Sequence, residues 1–248
     1  MITHINETDS TNSYIRTKIS EEDIPHGYAV STDYQHNGHG QKSNCWESER
    51  GKNILMSIFI RPLKIKPENQ FIITQLVTIA ITNVINKIDN LDATIKWPND
   101  IYVGDKKLAG ILIENSIAGD TITETIIGIG LNVNQIDFIS DAPNPISIKQ
   151  LTRKEFDHRK IADEIYNNIL TLYSTFENHM QNSLSTEEPH NKYMKLLYRA
   201  AGTHKYQTNT GEIVTAEIAS IDSYGILHLK HNDNTIHSYG FKEIKFVI

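Results

Sequence analysis

Between Lys96 and Glu114 the chain reads K-W-P-N-D-I-Y-V-G-D-K-K-L-A-G-I-L-I-E. Lys96, Lys106 and Lys107 stand with Asp100 and Asp105 around a Trp97-Pro98 step, and an apolar run follows. Charged groups at the mouth of a strand whose body is anchored in a core are held rigidly enough to do chemistry. Upstream, Gly38-His39-Gly40-Gln41-Lys42-Ser43-Asn44, soon followed by Gly51-Lys52, is a loop in which backbone N–H groups can approach an anion that nearby lysines neutralise. Its spacing is neither that of a Walker loop nor that of a Rossmann fingerprint, and taken alone it reads as a surface turn. Trp46 directly after it could stack on a nucleobase, an interaction worth about 1–3 kcal/mol, or simply cover the loop. Gly128-Ile129-Gly130-Leu131-Asn132-Val133-Asn134 closes an apolar run with glycines and two amides, which suits either an adenine edge or a β-bulge with turn asparagines. Asp9-Ser10-Thr11-Asn12, by itself, is a helix N-cap.

Other chemistries find no support. The eleven histidines contain no H-E-x-x-H pair or other zinc spacing. Ser48 and Ser57 lack a nucleophile elbow, and no motif marks Cys45 as a catalytic thiol. Covalent catalysis by the protein is therefore not expected.

Several elements must position these residues. Apolar residues from Phe71 to Ile88 cover most of a helix circumference, which predicts a helix over 67–88 buried on several sides. Leu108 to Ile113 and Ile126 to Val133 read as strands, and Ala118-Gly119-Asp120 supplies the turn of an antiparallel pair. Ile161, Ile165, Ile169, Leu172 and Phe176 recur at helical spacing, predicting an amphipathic helix over 159–176. The stretch from His179 to Lys192 is polar and carries Pro189, so a division is placed between a first domain, 1–190, and a second, 191–248. After it the apolar period becomes two, in short runs broken by turn residues, as in a small β-barrel or sandwich. The first domain mixes helices and strands and is expected to be α+β.

Composition sets outer bounds. A net charge of −6 leaves no cationic excess to displace counterions from a nucleic-acid backbone, so general nucleic-acid binding is not expected. Cys45 is the single cysteine, which excludes an intramolecular disulfide and suits a reducing, cytoplasmic setting. No signal-peptide pattern opens the chain, and no apolar run reaches membrane-spanning length, so a membrane location is not expected.

Taken in order, Asp9-Ser10-Thr11-Asn12, Gln35 with G-H-G-Q-K-S-N-C-W-E-S, K-W-P-N-D with K-L-A-G-I-L-I-E, and G-I-G-L-N-V-N closely resemble the motif series of biotin protein ligases. The resemblance extends to S-Y-G-F-K-E-I-K-F near the C-terminus and so covers nearly the whole chain. Ordered motifs are far more specific than any one loop. The resemblance implies an α+β, mixed-sheet catalytic domain related to class II aminoacyl-tRNA synthetases, followed by an SH3-like β-barrel. It implies two half-reactions: biotin and Mg-ATP give biotinyl-5′-adenylate and pyrophosphate, and the adenylate then acylates a lysine of a biotin carboxyl carrier domain of a biotin-dependent carboxylase. Carried over by motif, Ser10, Thr11, Asn12, Gln35, Gly38, His39, Gln41, Lys107 and Gly110 would surround biotin. His39, Gly40, Gln41, Trp46 and Asn132 would meet the nucleotide, with Trp46 stacked on adenine and Asn132 on its edge. Lys107 would stabilise charge on the carboxylate and then the acyl-phosphate, while Asn99 and Asp100 would act beside it and hold Mg2+ with the phosphates.

The chain departs from the family pattern at His39, where the loop usually carries arginine, and at Ser43, often glycine. An imidazole replaces a permanently charged bidentate fork, which implies looser containment of the adenylate. Some biotin ligases carry an N-terminal DNA-binding domain, but the motifs here begin by Asp9, and the resemblance is to the form without one. The family also allows a homodimer. The competing expectations are a lipoate or octanoate ligase of the same fold, and a non-catalytic biotin-binding protein whose phosphate loop has decayed.

Overall fold

The computed structural model describes residues 1–40, 45–63, 65–140, 144–181 and 187–248. In chain order the elements are β1 (Ile2–Thr8), α1 (Thr11–Glu21), β2 (Ala29–Gln35), β3 (Ile54–Ile60), a 3₁₀ turn (Pro67–Asn69), α2 (Phe71–Ile85), β4 (Ala93–Lys96), β5 (Asp100–Val103), β6 (Lys106–Ala118), β7 (Thr121–Leu131), α3 (Ile148–Thr152), α4 (His158–Gln181), α5 (Glu187–Lys195), β8 (His204–Thr208), β9 (Ile213–Ile221), β10 (Leu227–His231), β11 (Ile236–Tyr239) and β12 (Ile244–Phe246). The first seven strands form one mixed sheet in the order β1-β2-β3-β7-β6-β5-β4, in which only β1 and β2 run parallel.

Strand alternation assigns the two faces of this sheet different work. On β7, Ile127, Ile129 and Leu131 point into the main core with α2 and α4, while Ile126 packs beneath α1 with Ile15, Val30 and Phe59. Gly128 and Gly130 share the face of Ile126, and there the sheet is bare. The expected helix at 67–88 is α2, buried on nearly every side because the sheet, α4 and α5 surround it. The expected antiparallel pair is β6 and β7, closed at Ala118 and Thr121. The amphipathic helix α4 runs longer than the expected 159–176, from His158 to Gln181.

The second sheet, ordered β11-β10-β9-β8-β12, is antiparallel throughout, consistent with the expected SH3-like barrel. The division expected at 190/191 falls inside α5, whose Tyr193 is fully buried and meets Phe71 of α2 edge-on at 5.4 Å. That helix therefore belongs with the first sheet, and the second begins at His204. The two are joined closely. Trp97, which precedes a cis peptide to Pro98, donates its indole N–H to the Gly225 carbonyl at 2.9 Å and lies 5.4 Å from Phe241. Gly225 has φ +87°, and a Cβ there would come within 2.5 Å of the Phe71 ring, so only glycine allows this approach.

Candidate active site

The bare face of the sheet forms the floor of a cavity of about 710 Å3, within the range of small-molecule and cofactor sites. Gly110 of β6 and Gly130 of β7 are register partners, and the Trp46 indole lies flat across both. A Cβ on Gly130 would overlap Trp46 Cε2, and one on Gly110 would stand 3.0 Å from Cζ3. Trp46 reaches this position because its backbone N–H donates to the Gly38 carbonyl at 2.9 Å, while Cys45 bridges to His39. Its indole Nε1 is buried without a hydrogen-bond partner among the described residues.

At one end of the floor, the N-terminus of α1 meets β3 and Gln35. Ser10 occupies the N-cap position, yet its side chain makes no capping bond and lines the cavity instead. Ser57, fully buried on β3, lies 2.7 Å from Thr11 Oγ1 and 2.5 Å from Asn12 Oδ1. Thr11 N–H donates to Gln35 Oε1 at 2.8 Å, and Asn12 Nδ2 donates to Glu114 Oε2 at 2.7 Å. Gly38 leaves room for the Gln35 amide, since a Cβ there would be 2.8 Å from Nε2.

At the other end, Lys107 Nζ pairs with Asp100 Oδ1 at 2.8 Å and lies 5.8 Å from the centre of the Trp46 ring. Lys107 is fixed from behind, because its N–H donates to the Asn144 carbonyl and its own carbonyl accepts from Ile146 N–H. Asn99 is nearly buried, and its amide nitrogen donates to the Ile111 carbonyl, tying the K-W-P-N-D turn to β6. The last wall comes from the second sheet, through Phe241, Ile244, Lys245 and Phe246.

Of the residues singled out in the sequence, Ser10, Thr11, Asn12, Gln35, His39, Gly40, Trp46, Asn99, Asp100, Lys107 and Gly110 all line this one cavity, while Gly38 supports it from behind. Gln41 and Ser43 lie outside the described residues. Asn132 is set apart: β7 ends at Leu131, the alternation ends with it, and Asn132 Nδ2 turns to the Ile146 carbonyl at 3.1 Å. It does not line the cavity among the described residues. Ser57 and Glu114 were not singled out as binding residues. The signal for Ser57 is legible in retrospect, as the one hydroxyl in I-L-M-S-I-F-I, a strand buried at every position.

Lys96 is a further cation on the cavity wall, 4.9 Å from the centre of the Tyr102 ring and 5.3 Å from that of Phe246. Burial holds its pKa below the ordinary lysine range, the nearby Lys107 and Arg199 charges act in the same direction, and Asp100 opposes them. With a folded pKa below the unfolded one, this charge subtracts stability at neutral pH, and the penalty is relieved as pH rises from the folded pKa to the unfolded one. Lys96→Met is therefore expected to stabilise the fold at pH 7. Denaturant titrations at pH 7 and pH 10 check this: the gain should shrink at the higher pH, and a gain independent of pH would contradict the assignment.

Fold and cavity together describe an enzyme-like α+β sheet with a glycine floor between a polar pocket and a lysine–aspartate pair. The model of the biotin/lipoate A/B protein ligase family matches residues 5–132, and the chain belongs to that family. Among its relatives is the bifunctional ligase/repressor BirA of Bacillus subtilis, 28% identical over 228 residues, which make up 87% of this chain and 65% of that protein. BirA of Escherichia coli is 34% identical over 125 residues, 50% of this chain and 38% of that protein. The chain thus spans less than two thirds of the length of these relatives. Among solved structures, the biotin protein ligase from Aquifex aeolicus in complex with biotin and ATP superimposes with a TM-score of 0.80 at 20% identity, covering 99% of each chain. That likeness extends the shared fold through the second sheet.

Proposed function

We propose that this chain is an ATP-dependent biotin protein ligase. The observation that carries the reading is a single cavity joining a polar set, Thr11, Asn12 and Gln35 backed by the buried Ser57, to the Lys107–Asp100 pair across a glycine floor. A ureido ring seated among the first group directs its valeryl carboxylate along the floor toward Lys107. The carboxylate oxygen attacks the α-phosphate of ATP, the α–β bridging bond breaks, and pyrophosphate leaves with that electron pair. The Lys107 ammonium stabilises charge on the attacked phosphate without passing through a covalent state. In the second step a lysine amine of a biotin carboxyl carrier domain attacks the acyl carbon and AMP leaves. Trp46 offers the nucleobase a stacking face.

Asp100 suits magnesium, which typically takes one or two carboxylates and completes its shell with water and phosphate oxygens. When bound there it would neutralise the departing pyrophosphate. Asn99 braces the turn through Ile111. Lipoate fits less well, because its dithiolane ring offers no N–H or carbonyl to the polar groups at this end of the cavity.

The acceptor is the carrier domain of a biotin-dependent carboxylase, met in the cytoplasm, and the net charge of −6 gives no support to a nucleic-acid partner. Among the described residues no helix is long and apolar enough to cross a membrane. The outer edge of β4 is bonded to the backbone of Leu196 and Tyr198, whereas among the described residues β1 pairs only with β2. An acceptor strand or a second copy of the chain would pair at β1.

The test is exchange of labelled pyrophosphate into ATP with purified protein and magnesium, with biotin and lipoate in parallel. Exchange that requires biotin is expected; exchange with lipoate alone, or with neither acid in a folded protein, would overturn the reading.

A further inference from the structure

Trp46 offers the nucleobase its ring, yet nothing on that ring fixes its orientation. The indole Nε1 has no hydrogen-bond partner among the described residues, and the ring rests on Gly110 and Gly130, which present no side chain to hold it. Its orientation must come from the backbone on either side. Upstream, that backbone is tied to Gly38 and His39. Downstream, the tie is made by a side chain. Glu47 turns its carboxylate onto the segment that follows β7: Oε1 accepts from the Ile139 N–H at 2.9 Å and Oε2 from the Ser140 N–H at 2.8 Å. Gln135 Nε2 donates to the same Oε1 at 3.2 Å. Burial pushes the Glu47 pKa up, but the bonds from Ser140, Ile139 and Gln135 outweigh it and hold the group below the ordinary carboxylate range.

A carboxylate anchors only what its own partners hold still, and here the partners are built into the core. Gln135 is 2% exposed and uses both sides of its amide. Its Oε1 accepts from the Glu49 N–H at 2.9 Å and from Asn53 Nδ2 at 2.6 Å, while Nε2 reaches the Asp137 carbonyl at 2.8 Å as well as Glu47. Asn53, equally buried, takes the Val133 N–H at 2.9 Å, and Gln150 of α3 donates to the Ile136 carbonyl at 2.7 Å. A buried network satisfied in this way is rigid. We propose that Glu47 is a positioning residue for the nucleotide, holding the Trp46 indole over the glycine floor by fastening the adjoining backbone to the Gln135–Asn53 network. This rests on the reading of Trp46 as a nucleobase face and deepens it.

The experiment measures KM for ATP and for biotin in pyrophosphate exchange with the wild type, Glu47→Ala, Trp46→Ala and the double variant. Glu47→Ala is expected to raise the ATP KM on the order of tenfold, part of the worth of a stacking contact. The biotin KM should move less, since Thr11, Asn12 and Gln35 are held by other partners. In the Trp46→Ala background the same substitution should change the ATP KM by less than about twofold, because a residue acting through the indole then has nothing to position. Glu47→Gln keeps one acceptor oxygen and should fall between wild type and alanine, which keeps the test available if the alanine variant does not fold. Acrylamide quenching reads the ring directly. The chain has two tryptophans and Trp97 is 5% exposed, so quenching reports mainly on Trp46 and should increase in Glu47→Ala. An ATP KM raised by the same factor with and without Trp46, equal rises in both KM values, or unchanged quenching would overturn the anchor. A wild-type protein without biotin-dependent exchange would overturn the functional reading beneath it, and quenching would still decide whether Glu47 fixes the ring.

Discussion

Lys107→Met is expected to slow biotin-dependent pyrophosphate exchange by about 100- to 1,000-fold, the cost of removing one preorganised charge from a transition state. The side chain keeps its length and loses its ammonium. Its backbone is held by Asn144 and Ile146, so the strand should not move. The ammonium stands beside Gly110, 3.3 Å from where a Cβ would be, and is held there by Asp100. It thus overlooks the floor where carboxylate and phosphate would meet. The loss should fall mainly on kcat, since charge on the attacked phosphate develops in the transition state. The melting temperature should hold, because the lost Asp100 pair is partly exposed and such pairs contribute about 0–1 kcal/mol. Acyl transfer from synthetic biotinyl-adenylate should slow as well. Lys107→Arg should not restore the rate, because a planar fork cannot replace a compact point charge in the same space. Exchange within threefold of the wild type in Lys107→Met would remove Lys107 from the mechanism.

Much of this arrangement was legible in the chain. Runs rich in Ile, Leu and Val on either side of the Ala118-Gly119-Asp120 turn announced β6 and β7, and apolar residues around most of the circumference announced α2 as a helix buried on several sides. The ordered motifs brought Ser10 to Asn12, Gln35, Trp46, Asp100 and Lys107 to one cavity although they are spread over a hundred residues of chain. Residues that owe their place to where an element stops were less legible. Asn132 continues the alternation of Gly128 and Gly130 on paper, but the strand ends one residue earlier and its side chain leaves the floor. The boundary at 190/191 followed polarity, whereas α5 is polar on its outer face and buries Tyr193 on the other. Trp97 sits inside the charged motif yet serves the junction with the second sheet, through a contact 128 residues away. The contributions of Phe241 to Phe246 have the same origin, since no local pattern says which strand of a small sheet will face a distant cavity. Glu114 closes a motif, but its partner Asn12 is 102 residues upstream.

Gly128→Ala is expected to raise the Kd for biotin by about 100-fold while leaving the secondary structure intact. One methyl group produces this because of what it meets. A Cβ on Gly128 would overlap Asn12 Oδ1 and stand 3.0 Å from its Cγ and 3.1 Å from Nδ2. A flexible surface side chain would swing away at little cost. Asn12 cannot, for it is almost wholly buried, its amide oxygen is bound by Ser57, and its amide nitrogen is bound by Glu114. Moving it breaks both bonds and takes the Asn12 amide, itself buried, away from the partners that hold it, at about 1–3 kcal/mol for a buried polar group left unpaired. The upper part of that range corresponds to the hundredfold change. Gly128 is also paired with Leu112 and Ser57 across the sheet, so the strand has no freedom to retreat. Calorimetric titration of biotin into Gly128→Ala measures the effect directly, with circular dichroism as the check on folding. Gly119→Ala is the matched control: that turn glycine has φ +63° and nothing within 4 Å of its would-be Cβ, so it should weaken stability slightly and leave biotin affinity alone. Wild-type affinity in Gly128→Ala would mean that Asn12 can move without consequence, and the polar end of the cavity would then not be where biotin is recognised.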